Sequence, residues 1–445
     1  GLPAETMRLF WFVMAKAYPG LFDGSERLNA LELTKRMAWQ FGNVAESLGI
    51  HLIQEPEQIS TEDAQSLEID STLETQIDDT TQPFSLIDYE RLIRFPNLSS
   101  IASARFLYDA IALDNSTQLE LRRAKPIRYW GILAREIRTE FNDSAQRGKF
   151  ASRTRCRALQ IPKVDRVINS KDQPGQNLNG VMFSSKWLAE DMNLMRDDLP
   201  RLRGAIDRVH QKMGFSEGSP SDWWAIILAD GDGMGKYISG EKLKNYHHYI
   251  LEDQVDFSIK GQDKEQFNTF RTKTKKRMGP ATHIALNRAL LDFSNRLVPY
   301  LAEQRFCGRV IYSGGDDVMV VLPLEDVPGF VRSLQAVWGG KPDPHEEFSY
   351  ETQTWQSKPE FETKGDYWYP TADLPSLQKS RPYFTMGKGA TMSMGIVIAY
   401  KGIPLPTVLE NLWEAEETAK KMPHKNGLCF RVIYGGGNRL DTTMH

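Results

Sequence analysis

Two short stretches carry the residues that could do chemistry. The first runs from Trp223 to Lys236: an apolar stretch of strand length, Trp223-Trp224-Ala225-Ile226-Ile227-Leu228-Ala229, ends at Asp230-Gly231-Asp232-Gly233-Met234-Gly235-Lys236. The second is Ile311 to Leu322, where Ser313-Gly314-Gly315-Asp316-Asp317 separates two apolar runs. Gly-Gly suits a tight hairpin because glycine takes positive φ without a Cβ clash, which sets Asp316 and Asp317 at the tip of a strand pair. If the two strands are neighbours, Asp230 faces that tip and three or four carboxylates converge. Like charges so placed repel and raise one another's pKa, and a divalent cation relieves the conflict. Hard oxygen ligands suit Mg²⁺ (or Mn²⁺), which also binds nucleotide phosphates, and the glycine-rich backbone after Asp230 lets a phosphate approach. Two such ions about 3.5–4 Å apart can activate a hydroxyl and stabilise leaving pyrophosphate. Asp230, Asp316 and Asp317 are thus candidate catalytic and metal-holding residues, and the candidate reaction is nucleotidyl transfer. A solvated Gly-Gly-Asp-Asp turn without chemistry is the alternative.

The elements that must position these acids read as β–α–β–β–α–β from Ser221 onward. Trp223–Ala229 is the first strand. Leu286, Leu290, Phe293, Leu297 and Leu301 recur at helical spacing. Val310–Tyr312 and Val318–Leu322 form the hairpin, Val327 to Trp338 is helical, and Ala390–Ala399 is a further strand. An amphipathic helix outlined by Leu405, Leu409, Leu412, Glu416 and Ala419 leads to a closing strand, Leu428–Tyr434. A four-stranded antiparallel sheet with two helices on one face is the ferredoxin-like palm, which sets the end of the first strand beside the central hairpin. A polar stretch with Trp355, Tyr367 and Trp368 reads as a surface loop. Arg271, Lys273, Lys275, Lys276 and Arg277 form either a solvated face or a phosphate-facing loop.

Upstream, residues 1–50 read as helical, with Met7, Leu9, Phe10, Phe12, Val13 and Ala17 dense enough for a buried helix. From Leu52 to Glu90 there is no Lys or Arg while acids accumulate, which predicts an acidic mobile insertion over 52–90. Phe95-Pro96-Asn97-Leu98-Ser99-Ser100 has the grammar of a turn, a serine cap and a helix start. Between Leu121 and Asp172, fourteen Lys or Arg stand against five acids, with Tyr129, Trp130, Phe141 and Phe150 among them. Cations track phosphates and aromatic faces stack bases, so this stretch is a candidate RNA contact; an arginine-rich face paired with the acidic insertion is the alternative.

At 445 residues the chain should hold two or three domains. A net charge of −3 excludes a globally basic nucleic-acid coat, though not local basic surfaces. Cys156, Cys307 and Cys429 are too far apart in sequence for a disulfide framework or a four-cysteine zinc site, which fits a reducing cytoplasm. No apolar run approaches the roughly 20 residues of a membrane span, and no signal peptide is evident. The chain begins with Gly, so a larger parent protein can extend beyond it.

With these segments in view, the sequence resembles the large subunit of type III CRISPR effector complexes, the Cas-ten family, especially its Cmr (III-B) branch. Asp230-Gly231-Asp232-Gly233-Met234-Gly235 is similar to that branch's Asp-Gly-Asp-x-Met-Gly segment, and Gly314-Gly315-Asp316-Asp317 to its palm motif. Leu33-Thr34-Lys35-Arg36, Phe95-Pro96-Asn97-Leu98-Ser99 and Asn426-Gly427-Leu428-Cys429-Phe430-Arg431-Val432 resemble its flanking landmarks. The resemblance implies an α+β fold of two ferredoxin-like palm domains of polymerase/cyclase type with helical insertions. The first palm-like region would occupy 1–180, a helical linker 181–220, the catalytic palm 221–435 and a tail 436–445.

It further implies an Mg²⁺-dependent enzyme that makes cyclic oligoadenylate from ATP when the complex binds target RNA. The partners would be other effector subunits, guide RNA and target RNA, with no membrane. Carried over by position, Asp230, Asp316 and Asp317 would hold the metal. Gly231, Asp232, Gly233, Met234 and Gly235 would lie near the phosphates, with Ser313, Gly314 and Gly315 against the nucleotide. Lys420 would meet a triphosphate and His283 would sit near the nucleotide; a solvated lysine and a capping or core histidine are the alternatives. No His-Asp pair occurs, so the family's HD nuclease domain is expected to be missing from this chain and the nuclease half of the function is not assignable here; the zinc cysteines usual between the palms are absent as well. Two other functions stay open: a non-catalytic scaffold subunit, and a stand-alone cyclic nucleotide or diguanylate cyclase.

Overall fold

The computed structural model describes residues 4–17, 30, 33–34, 37, 96–112, 117–141, 161–164, 180–185, 188–189, 194, 196–215, 218–250, 261–349, 352–423, 425–435 and 438–444. The chain divides into two compact units, Gly1–Phe95 and Pro96–His445. In the first, Ala4–Ala17 is helical as its composition predicts. Trp11 is buried but Leu9, Phe10, Phe12 and Val13 are exposed, so apolar density marks the helix without marking burial. The acidic stretch 52–90, together with Lys35 and Arg36, lies outside the described residues.

The second unit is organised on β1 (Trp223–Gly231), β2 (Arg309–Gly314), β3 (Asp317–Pro323), β8 (Met392–Tyr400), β9 (Leu428–Tyr434) and β10 (Asn438–Met444), in the spatial order β10-β9-β8-β1-β3-β2. β1 is central and antiparallel to both β3 and β8, while β2 pairs antiparallel with β3. These four strands are the expected βαββαβ palm. The expected closing strand β9 instead runs parallel to β8, reached through the Leu405–Lys420 helix as a crossover. The stretch read as a tail, 436–445, carries β10, antiparallel to β9. β10 is exposed along its length, so no apolar alternation announces it; the buried Arg431 guanidinium holds it by donating to both Asp441 carboxylate oxygens, at 3.0 and 3.1 Å.

β1 is a continuous apolar run because both of its faces are covered. On one face Ala225, Ile227 and Ala229 join Val318, Val320, Met394 and Ile396 under Phe293, Leu297, Phe330 and Leu334. On the other, Trp224, Ile226, Val321 and Val397 meet Ile101, Tyr129, Phe183, Ile206 and Leu412. The expectation of helices on one face alone is thereby corrected: helices at 98–102, 104–112, 117–140, 199–213 and 405–420 cover the second.

Several local expectations change with the packing. Asn97, not a serine, caps the Leu98–Ala102 helix, accepting from Ser100 N–H at 2.9 Å. Tyr129 and Phe141 are core residues; the Tyr129 hydroxyl donates to Met182 O at 3.2 Å and its ring lies against Phe183. Neither ring is available for base stacking, and Phe150 lies outside the described residues. Glu136 and Glu140 of the same helix pair with Arg208 at 2.8 and 2.7 Å. The polar stretch after the Val327–Trp338 helix forms two hairpins, β4–β5 (Glu346–Ser349, Thr354–Ser357) and β6–β7 (Phe361–Lys364, Tyr367–Pro370). Trp368 there is fully buried rather than on a surface loop. The segment is clamped by buried Arg305, which meets Asp343 at 2.7 Å and Glu360 at 2.6 Å. Among the described residues no strand precedes β1 and no helix is long and apolar enough to cross a membrane.

Candidate nucleotidyl-transfer site

The β1–β3 register brings the acids together. Leu228 pairs with Met319 and Ala229 with Val318, so one further step sets Asp230 opposite Asp317. Opposed Cβ atoms in a sheet are about 5 Å apart, within reach of two short carboxylates. Asp316 and Gly315 form the turn; Gly315 takes φ +64, the left-handed region that favours glycine. A Cβ on Gly231 would stand 2.9 Å from Asp316 Cβ and 2.5 Å from Trp338 Cζ2, so only glycine lets the end of β1 lie against this turn.

The electrostatics follow from that closeness. Burial, a hydrogen bond with Asp230 and the charges of Asp230 and Asp316 push the Asp317 carboxyl up to about 6. Burial also raises Asp316, with the charge of Asp230 adding to it; Asp316's own backbone hydrogen bond and Lys420 oppose the shift. Lys420, at the end of the Leu405–Lys420 helix, places its ammonium 3.1 Å from Asp230 Oδ2 and 2.6 Å from Glu416 Oε1. Burial works against that charge, yet the hydrogen bonds to Glu416 and Asp230 hold it above the ordinary lysine range.

The other candidate residues take different places. Gly314 continues β2, with Tyr312 folded against it. The Ser313 hydroxyl donates to Ser294 O at 2.9 Å. Ser294 lies in a π turn, Phe293–Leu297, beside a second, Leu301–Arg305. Pro299 between them has no N–H to give, which disrupts the regular helical ladder. Gly233 takes φ +71 and starts a short helix, Met234–Ile238, whose Met234 is buried while Gly235 is open. Asp232 is 4% exposed, and its carboxylate accepts from Ser393 Oγ at 2.8 Å and from Asn426 N–H at 2.9 Å. It therefore ties the loop after β1 to the start of β8 and the turn before β9, and braces that loop. His283 is exposed on the first turn of the Pro280–Asp292 helix.

Sequence reasoning placed Glu416 on the helix but missed it as the second partner of Lys420; helical i,i+4 spacing is the signal that finds it. Among the described residues no three His, Cys, Asp or Glu side chains are gathered into a metal-holding group. Asp230 and Asp317 are the close pair, Asp316 acts on them through space, and Lys420 supplies the countercharge. In type these donors fit a hard divalent cation: all are carboxylate oxygens, with no sulfur or imidazole among them.

A βαββαβ sheet with carboxylates at the end of β1 and on the β2–β3 turn defines a palm-type domain with a nucleotidyltransferase-like fold. Residues 223–349 match the family described as Cas10/Cmr2, second palm domain. Over 148 residues the chain is 34% identical to the CRISPR system Cmr subunit Cmr2 of Pyrococcus furiosus. That stretch is 32% of this chain, and the chain spans 15% of the length of that relative. Two solved structures are also similar. A type III-B Cmr-beta complex in the apo state gives a TM-score of 0.47 at 15% identity, over 94% of this chain and 40% of that one. Type III-B Cmr-beta bound to cognate target RNA gives 0.40 at 14%, over 78% and 34%.

Proposed function

We propose that this chain is the large subunit of a type III-B RNA-guided complex, and that its palm is a nucleotidyltransferase making cyclic oligoadenylate from ATP on target-RNA binding. The observation that carries the chemistry is the Asp230–Asp317 pair with Asp316 beside it, an electrostatically costly set with no structural need for three acids. Asp230, Asp316 and Asp317 would hold Mg²⁺ (or Mn²⁺), which when bound lowers the pKa of an attacking ribose hydroxyl and neutralises the leaving pyrophosphate. Gly231 to Gly235 offer backbone for the phosphates, and Gly315, with open space around it, leaves room beside the acids for a ribose. Lys420 binds an incoming triphosphate by exchanging its carboxylate partner for a phosphate oxygen. On this reading its partners are other effector subunits, guide RNA and target RNA, in the cytoplasm.

A second reading has one observation behind it. Lys420 already balances Asp230 without any cation, so the palm can stand as architecture in a non-catalytic subunit. Incubating the complex with labelled ATP or GTP and Mg²⁺, with and without complementary RNA, separates these. RNA-dependent oligoadenylate that vanishes in Asp316→Ala/Asp317→Ala supports the enzyme. No product from either nucleotide leaves the scaffold, and an RNA-independent cyclic product moves the chain to a stand-alone cyclase.

A further inference from the structure

The segment that leaves the acid site is built as a small basic platform. After the Met234–Ile238 helix, the chain from Lys242 runs alongside the chain near Lys275. Tyr246 N–H donates to Thr274 O at 3.1 Å, Lys276 N–H to Lys244 O at 2.9 Å, and Asn245 bridges Lys275. The Asn245 amide donates to Thr272 O, and Lys275 Nζ to Glu241 O at 3.1 Å. This frame draws together the segments that carry Lys236, Lys242, Lys244, Lys275, Lys276 and Arg277, all of them exposed but the half-buried Lys276. None of these six forms an ion pair among the described residues, whereas elsewhere in the molecule cations such as Arg208, Arg305 and Arg431 are paired. The described acids of the segment are Glu241, Asp263 and Glu265; in the sequence, 251–260 adds Glu252, Asp253 and Asp256 against Lys260. In a chain of net charge −3, so much uncommitted positive charge in one place calls for an anionic occupant.

The aromatic residues narrow the class. Tyr249 is 43% and Phe270 47% exposed. Phe270 is stacked on Tyr246 at 5.0 Å, and Lys276 stands 4.5 Å over the Tyr249 ring. Exposed rings interleaved with unpaired lysines suit alternating bases and phosphates, which a folded acidic protein surface does not supply. The platform is also tied to the acid site, because Lys242 Nζ donates to Asp232 O at 3.4 Å, two residues from Asp230.

We propose that this platform binds a single-stranded oligoribonucleotide, the linear chain that the acid site extends. This rests on the nucleotidyl-transfer reading for the identity of the chain, but the binding itself does not. The test is fluorescence anisotropy of the full chain with a 5′-labelled ten-nucleotide oligoadenylate, repeated over a salt series and with a poly-glutamate peptide as competitor. Lys244→Glu/Lys275→Glu/Lys276→Glu is expected to weaken binding at least tenfold and to flatten the salt dependence by about two units of slope, as loss of about three phosphate contacts requires. Tyr249→Ala/Phe270→Ala is expected to weaken it with the salt slope unchanged. Asp316→Ala/Asp317→Ala should bind as wild type does, so loss of turnover and loss of binding are read separately. Should the triple charge reversal misfold, by circular dichroism, Lys244→Gln/Lys276→Gln replaces it, with at least a threefold loss expected. Binding within twofold of wild type in the charge variants overturns the proposal, as does poly-glutamate displacing the oligonucleotide at equal charge.

Discussion

The ammonium of Lys420 lies 3.1 Å from Asp230 Oδ2, joining the end of the last helix to the end of the first palm strand. A side chain charge there does what a cation would do for the carboxylates, and it must let go of Asp230 when a cation takes its place. Replacing Lys420 by Gln removes the countercharge and, on the proposed function, the phosphate contact with it. Metal-free ATP binding, measured by calorimetry, is expected to fall about tenfold, equal to about 1.4 kcal/mol. Mn²⁺ binding without nucleotide should hold or tighten. A Lys420→Gln protein that loses Mn²⁺ binding would mean that the lysine shapes the acids rather than balances them.

Asp317 gives the site a pH dependence with a definite sign. Its carboxyl is raised from 3.8 to about 6, so in the folded protein it keeps a proton that the unfolded chain has already released. The stability tied to that proton is fully present below about pH 4 and lost as pH rises through about 6. Asp317→Asn removes the penalty and is expected to raise the melting temperature of the metal-free protein at pH 8 and to leave it unchanged at pH 4. The group is part-exposed, so solvent screening limits the gain to about 1 kcal/mol. Divalent cations compete with the same proton, and their affinity should drop steeply below pH 6. Equal melting temperatures at pH 8 would show that the pair carries no strain.

Gly231 is held by space on two sides. An alanine Cβ there would press on Trp338 Cζ2 at 2.5 Å and on the Asp316 side chain at 2.9 Å. Trp338 cannot yield easily, because it is buried and its Nε1–H donates to Thr391 O at 2.9 Å. Gly231→Ala is therefore expected to destabilise by about 1–3 kcal/mol in chemical denaturation, as overpacked cores do. Nucleotide binding should fall further than stability alone explains, since the displaced group is Asp316. Gly235→Ala has open space around it and serves as the control for stability.

What could be read before the fold was known divides along physical lines. The central palm and the acid pair were legible, because strand-length apolar runs ending in Asp and Gly-Gly-Asp-Asp fix both the elements and their polar ends. β10 was not, since a strand exposed on both faces shows no alternation and is held by backbone pairing and by Arg431. Trp368 looked like a loop residue because its partners, Phe361 and Tyr383, come from separate segments and have no shared period with it. Tyr129 and Phe141 stand among arginines in the sequence, but helical geometry turns the rings inward and leaves Arg135 and Arg138 outside. At the site, Asp232 carries the same side chain as Asp230 two residues earlier. What separates their roles is the donor set around each, which only the fold supplies.

That separation can be tested directly. Asp232 accepts from Ser393 Oγ and Asn426 N–H in a closed space, while Ser393 Oγ also lies 3.3 Å from Gly427 N–H. Asp232→Ala would leave a buried amide and hydroxyl without their acceptor, at a cost of about 1–3 kcal/mol. Asp232→Asn keeps one acceptor oxygen and should recover part of that loss. Because the brace joins the loop after β1 to the turn that follows the Lys420 helix, Asp232→Ala should loosen Lys420 from Asp230. Its nucleotide affinity is expected to fall in parallel with its melting temperature and to return with Asp232→Asn. A metal ligand behaves otherwise: an amide cannot replace its charge, so divalent binding would stay low in Asp232→Asn whatever the melting temperature did. Mn²⁺ affinity of Asp232→Asn equal to wild type places the residue in the brace; a lasting tenfold loss with full stability would move it into the coordination set.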